Sequence, residues 1–118
     1  MPLARWWPLL SPLPGGASIG ALDVDAQGWV AIASDVAAAN GQLLALWTTL
    51  EDRADVHATV RAALLADSRV LVPTLQMRTA TDSYPGLQDF FPAATRMQRA
   101  AFDLTGVRSD DPDRRPWL

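Results

Sequence analysis

The chain contains no cysteine. It can form no disulfide, offer no thiolate to an iron–sulfur cluster and run no cysteine-nucleophile chemistry. Histidine is almost as scarce. With His57 as its only imidazole, one chain cannot assemble a zinc or non-haem iron site that needs two or more. Excess positive charge is missing as well: the formal charge is −3 and the pI about 4.8, which argues against binding nucleic acid, or anionic lipid by charge alone. The first twenty residues hold Pro2, Pro8, Pro12 and Pro14, one arginine and no long apolar run. This fits neither a secretory signal nor a membrane span. A cytoplasmic protein with no direct membrane insertion is expected.

What is present suits one packed core. At 118 residues, 49% hydrophobic and 19% charged, the chain has the size and composition of a single globular domain. Residues 1–16 mix prolines with Trp6 and Trp7 and are expected to form an extended arm, since proline forbids a regular helix or central strand. Two fates suit that arm: folding back on its own core, or offering the tryptophans to a partner. Residues 17–107 are expected to form the domain, and residues 108–118 a charged tail.

Within the domain, Ile19 and Ala21, then Trp29, Val30 and Ile32, suggest two strands about a turn at Asp25-Ala26-Gln27-Gly28. Ser34 or Asp35 could cap a long helix, because Val36, Ala39, Leu43, Leu46, Trp47 and Leu50 recur at three- and four-residue spacing. Gly41 inside that helix would mark either a close approach to the sheet or simple tolerance of a glycine there. Asp55–Leu65 alternates with the period of a half-buried strand, and Arg69–Arg78 continues it after a turn at Ala66-Asp67-Ser68. Pro73 predicts an edge position, or an unpaired N–H side, for that strand. A last helix should start at Pro92, bury Ala94, Met97, Ala101 and Leu104, and end near Leu104 with Gly106 as its cap.

Site chemistry is sparse. Gly15, Gly16 and Gly20 precede a strand, whereas phosphate-cradling loops follow a strand and open a helix, so nucleotide binding is not indicated. Asp23 with Asp25, and Asp52 with Asp55, flank turns in which aspartate serves local hydrogen bonding. His57 lies on the polar side of its strand and receives no role.

The segment from Tyr84 onward carries more. Tyr84-Pro85-Gly86-Leu87, Phe91-Pro92-Ala93-Ala94, Gln98-Arg99-Ala100, Phe102-Asp103-Leu104-Thr105-Gly106-Val107 and Asp111-Pro112-Asp113-Arg114-Arg115-Pro116 follow one another. In order and spacing they resemble the signature region of the 30 kDa subunit family of respiratory complex I (NADH-quinone oxidoreductase), which includes the N-terminal domain of membrane-bound nickel–iron hydrogenase large subunits. The likeness covers about 35 residues, and the Arg-Pro-Trp-Leu ending is closer to the hydrogenase branch. Gln98 and Ala100 stand where that family has glutamates, and Asp111 where it has histidine.

The resemblance implies a structural subunit with no cluster, flavin or other cofactor and no catalysis of its own. Such a subunit scaffolds electron transfer in a membrane-associated oxidoreductase and docks on the large subunit of a complex I-like or hydrogenase complex. Carried onto this sequence, the docking residues are Pro92, Arg99, Asp103, Gly106, Pro112, Asp113, Arg114, Arg115 and Trp117. Pro92 fixes a helix start, Gly106 permits a left-handed exit, and the two later prolines stiffen a tail whose arginines can grip carboxylates while Trp117 fills a pocket.

The expected fold is a two-layer α+β domain, an antiparallel sheet of about four strands covered by a long helix and a C-terminal helix pair. Two other functions remain open on the residues alone. One is a free-standing ligand-binding or enzymatic domain, which a deep apolar pocket with converging polar groups would favour. The other is a homo-oligomer that buries the tryptophan arm against its own copy.

Overall fold

The computed structural model describes residues 2–12 and 18–110. Two 3-10 turns, Pro2–Arg5 and Trp7–Leu9, lead into β1 (Ser11–Pro12) and β2 (Ile19–Val24). Helix α1 (Ala26–Ala38) is followed by three long strands, β3 (Gln42–Arg53), β4 (Val56–Ala66) and β5 (Arg69–Met77). Then come β6 (Ser83–Tyr84), helix α2 (Ala94–Thr105) and β7 (Arg108–Ser109). The main sheet has five strands in the order β1-β2-β5-β4-β3, and β6 pairs with β7 in a separate two-stranded sheet.

The α+β two-layer class expected from the sequence holds, but the sheet is mixed. β3, β4 and β5 form an antiparallel meander, whereas β2 runs parallel to β5, with Ile19 opposite Val70 through Val24 opposite Leu75. A parallel neighbour needs a crossover, and α1 provides it by carrying the chain from β2 to the far edge at β3. Among the described residues the C-terminal part holds one helix, α2, preceded by a turn at Leu87–Phe91.

Alternation along β4 sets the two layers. Ala58, Val60, Ala62 and Leu64 are fully buried with Trp29, Ile32, Ala33 and Val36 of α1. His57, Arg61, Ala63 and Leu65 take the opposite face and are half-buried. Trp29, Ile32, Ala33 and Val36 follow the i, i+3, i+4, i+7 spacing of one helix face. The expected strand at Trp29–Ile32 is therefore the first half of a helix, and the supposed turn before it is that helix's N-cap: Asp25 accepts the Gly28 N–H at 2.8 Å. α1 ends in a Schellman arrangement, with Asn40 at φ 60° and Gly41 donating to the Val36 carbonyl at 2.8 Å. Gly41 does mark a close approach, though at the helix exit: a Cβ there would lie 2.6 Å from the Leu65 carbonyl oxygen.

The long helix expected through Leu50 is strand β3. Its inward residues are Leu43 and Leu46, three apart, because the β3–β4 register shifts between Leu43 and Ala45. Asp67 and Ser68 both have positive φ (51° and 62°) and close the β4–β5 hairpin at the turn expected there. β5 lies inside the sheet, so Pro73 is not on an edge strand. The β4–β5 pairing stops at Arg61–Thr74 and resumes at Leu64–Leu71, so no partner across that ladder loses a bond to the missing N–H.

The N-terminal residues 2–12 pack on the domain. Leu3 and Trp6 belong to the core, Trp6 Nε1 donates to Asp35 Oδ2 at 2.7 Å, and Arg5 pairs with the same carboxylate at 2.7 Å. Asp35, considered as a helix cap from the sequence, sits within α1 and pins the N-terminal turns to it. Of the two fates considered for the arm, folding back is the one the described residues take.

Leu104, expected in the buried face of α2, is 85% exposed. Leu64→Ala should therefore cost about 2–5 kcal/mol of stability through cavity formation, whereas Leu104→Ala should change it by less than about 0.5 kcal/mol. Urea denaturation of the two variants checks both values.

Candidate docking surface

Helix α2 and the edge strand β3 build the surface. α2 starts without a side-chain cap; Pro92 and Ala93 lie in the turn before it, and Ala94 N–H donates to the Phe91 carbonyl at 2.9 Å. Its buried stripe is Ala94, Gln98 and Ala101, small or polar residues that let the helix backbone come close to β3. Thr48 of β3 and Thr105 of α2 share a hydroxyl–hydroxyl bond of 2.6 Å, and Thr105 also donates to the Ala101 carbonyl at 2.9 Å. Since Thr48 pairs with Val60, α2 lies on the same side of the sheet as α1.

Gln98 explains why the buried stripe differs from the expected one. It is 2% exposed, and its Oε1 accepts the Leu87 N–H at 2.8 Å while Nε2 donates to Gln88 Oε1 at 3.3 Å. The helix face is turned to satisfy this amide, which leaves Met97 half-buried and Leu104 in solvent. Gln98 is thus an internal polar strut between α2 and the Leu87–Gln88 turn.

The helix ends at Gly106 as expected, at φ 77° with its N–H donating to the Phe102 carbonyl at 2.7 Å. The chain then turns into β7 and runs parallel beside β6, with Asp110 N–H on the Tyr84 carbonyl at 2.9 Å and Gly86 N–H on Asp110 Oδ1 at 2.6 Å. Arg99 and Asp103 lie one turn apart with a 3.7 Å contact, and the Arg99 and Arg108 guanidiniums flank the Phe102 ring at 5.4 and 4.8 Å.

Among the sequence-assigned docking residues, the structure thus brings Arg99 and Asp103 together on α2, with Pro92 and Gly106 exposed near its two ends. Pro112, Asp113, Arg114, Arg115 and Trp117 lie outside the described residues.

The sequence reading missed the other half of this surface. Leu44 (47% exposed), Trp47 (39%) and Leu50 (52%) are on β3, and Leu104 is on α2. They account for all the large exposed apolar side chains among the described residues except Leu9. β3 is the last strand of the sheet, so its outer backbone groups have no ladder partner among those residues. A long, exposed, apolar edge is costly to leave bare. The helical spacing read into this segment had placed Trp47 and Leu50 in the core. No three potential metal-ligating side chains come together among the described residues, and no helix there is long and apolar enough to cross a membrane.

No family model and no curated protein matches the chain. Solved structures do. Nqo5, as its trypsin-resistant fragment 1–134, superposes with a TM-score of 0.74 at 16% identity, covering 96% of this chain and 99% of that one. A chain of the membrane-bound sulfane sulfur reductase, an archaeal respiratory membrane complex, gives 0.76 at 15% identity, covering 99% and 72%. The likeness is one of fold. It spans nearly the whole chain, well beyond the 35 or so residues that carry the sequence resemblance.

Two substitutions check the geometry of the surface. Gln98→Leu strands the buried Leu87 N–H and should cost about 1–3 kcal/mol. Gly106→Ala, where a Cβ meets no atom within 4 Å, should cost about 1 kcal/mol through the left-handed backbone alone. Chemical denaturation measures both, and the Gly106→Ala crystal structure should show no shift in neighbouring side chains.

Proposed function

We propose that the chain is a non-catalytic subunit of a membrane-associated oxidoreductase complex. The complex is of the NADH–quinone reductase or energy-converting nickel–iron hydrogenase kind, and the chain docks on its large subunit through the β3–α2 edge. The observation that carries the reading is that Leu44, Trp47 and Leu50 of the edge strand β3 and Leu104 of α2, the helix packed against it, are large apolar side chains left exposed. An edge strand with unpaired backbone groups and exposed large apolar side chains suits completion by another chain.

Two further supports point to the class of partner. One is the Tyr84–Pro116 residue order. The other is fold likeness to Nqo5, a complex I subunit, and to part of a respiratory membrane complex. In this role the chain is peripheral to the membrane, held there by its partner, and carries no cofactor. Arg99 and Asp103 form the charged rim beside the apolar edge, and Arg114, Arg115 and Trp117 add contacts from the residues that follow β7.

The test is binding to the purified large subunit of a complex I-like or nickel–iron hydrogenase complex from the same organism, measured by interferometry with purified variants. Leu50→Asp and Leu104→Asp should each weaken association by about 1–3 kcal/mol, and Trp47→Ala, Arg115→Ala and Trp117→Ala by similar amounts. Thermal melts of the exposed-site variants should match the parent. Wild-type affinity in the β3 and α2 variants would exclude this edge as the interface.

A further inference from the structure

The β3 edge has a property that docking on a different protein does not require: its exposed apolar side chains are placed symmetrically about Trp47. Leu44 and Leu50, 47% and 52% exposed, stand at equal distances along the strand before and after it. Pairing with β4 is uninterrupted from Ala45, opposite Ala63, to Leu50, opposite Ala58, and becomes irregular just outside that stretch, between Leu43 and Ala45 and between Leu50 and Arg53. The Trp47–Arg61 pair lies on the sheet face away from α1, together with Ala45–Ala63 and Thr49–Thr59.

Two antiparallel copies of one strand pair with some residue opposite itself, because a slip of one position would set side chains of opposite faces against each other. Few centres are open to β3. With Thr48 at the centre, Leu44 would face Asp52 and Trp47 would face Thr49; with Leu46 there, Leu50 would face Gln42; with Thr49 there, Trp47 would face Glu51. Centred on Trp47, the tryptophan faces its own copy, Leu44 faces Leu50 and Ala45 faces Thr49. No charged side chain occurs from Gln42 to Leu50, Glu51 accepts the Thr59 hydroxyl at 2.8 Å, and Arg53 lies 3.6 Å from Asp55. In this register no like charges meet across the strands. The edge also lacks the lysine or proline that blunts exposed strands, and the whole chain has no lysine.

We propose that the chain, while free of a larger partner, forms a two-fold dimer in which β3 pairs antiparallel with β3 of a second copy about Trp47. The two five-stranded sheets become one continuous sheet, the outer backbone groups of β3 gain partners, and Trp47 and Leu50 are covered by their counterparts. The irregularities on either side end the pairing at Leu44 and Leu50. This goes beyond docking on a large subunit: a large subunit seated on the β3–α2 edge and a second copy exclude one another, so the dimer is the form that covers the edge before assembly.

Sedimentation equilibrium of the isolated full chain should give twice the 12.8 kDa chain mass. Trp47→Asp should raise the dimer dissociation constant at least about tenfold with an unchanged circular dichroism spectrum, and Leu9→Asp, at the exposed leucine of the N-terminal turns, should leave it unchanged. Because the chain has no cysteine of its own, disulfide formation reads the register. Ala45→Cys mixed with Thr49→Cys should oxidise to the mixed dimer in preference to either like pair, since only unlike positions come within bridging distance. A monomer at about 100 μM, a dimer weakened by Leu9→Asp and not by Trp47→Asp, or like pairs forming as readily as the mixed one would each overturn the proposal. Adding the purified large subunit should release monomer into a one-to-one complex. A large subunit that bound the intact dimer would support the dimer and refute docking through the β3–α2 edge, so the two readings can fail separately.

Discussion

Trp29 joins the two halves of the molecule. Its side chain is fully buried under the sheet, its ring meets Tyr84 edge-on at 6.1 Å and 77°, and its Nε1 donates to the Pro85 carbonyl at 2.9 Å. Helix α1, which carries it, is fixed to the sheet by Ile32, Ala33 and Val36, so the Tyr84–Leu87 segment has a rigid attachment point. From there the order propagates: Leu87 bonds Gln98 and orients α2, and Tyr84 bonds Asp110 and holds the strand after α2. One aromatic anchor thus positions the helix that forms half of the candidate docking surface.

A one-sided sheet follows from the topology. The crossover through α1 and the return through α2 both use the face of Val60 and Leu64, and the edge strand β3 is left with outward apolar side chains. In a monomer that arrangement exposes a template for pairing and aggregation. In a subunit it is a surface that another chain completes. The high apolar fraction and modest charge of the sequence agree with a protein that buries more surface in an assembly than it does alone.

How much of this was legible in the residues depends on the element. β4, β5 and their turn could be read because the alternation of Val56 to Leu64 is uninterrupted and Ala66-Asp67-Ser68 is a strong turn signal. The cap at Gly106 was readable because a left-handed exit leaves few alternatives to glycine. β3 was misread for a physical reason: the irregularity at Leu44 moves the inward position from Leu43 to Leu46, and a spacing of three imitates a helix. α1 was misread because its Asx cap, Asp25 to Gly28, has the same composition as a hairpin turn. The tilt of α2 was set by one buried amide, Gln98, which an apolar pattern cannot register. Of the candidate surface, helix α2 was legible in the residue order, whereas the β3 edge became visible only once that segment was known to be a strand.

The central claim is that this chain is a built-in part of a larger redox assembly. Its most direct test is to place an affinity tag on the chain in its native cell, solubilise the membranes in mild detergent and determine the mass and composition of the particle that carries the tag. The account predicts a stoichiometric complex containing an oxidoreductase large subunit and membrane-embedded subunits, with the tagged chain absent from lower-mass fractions. A tagged chain recovered only as a free monomer or as a complex with copies of itself would contradict it.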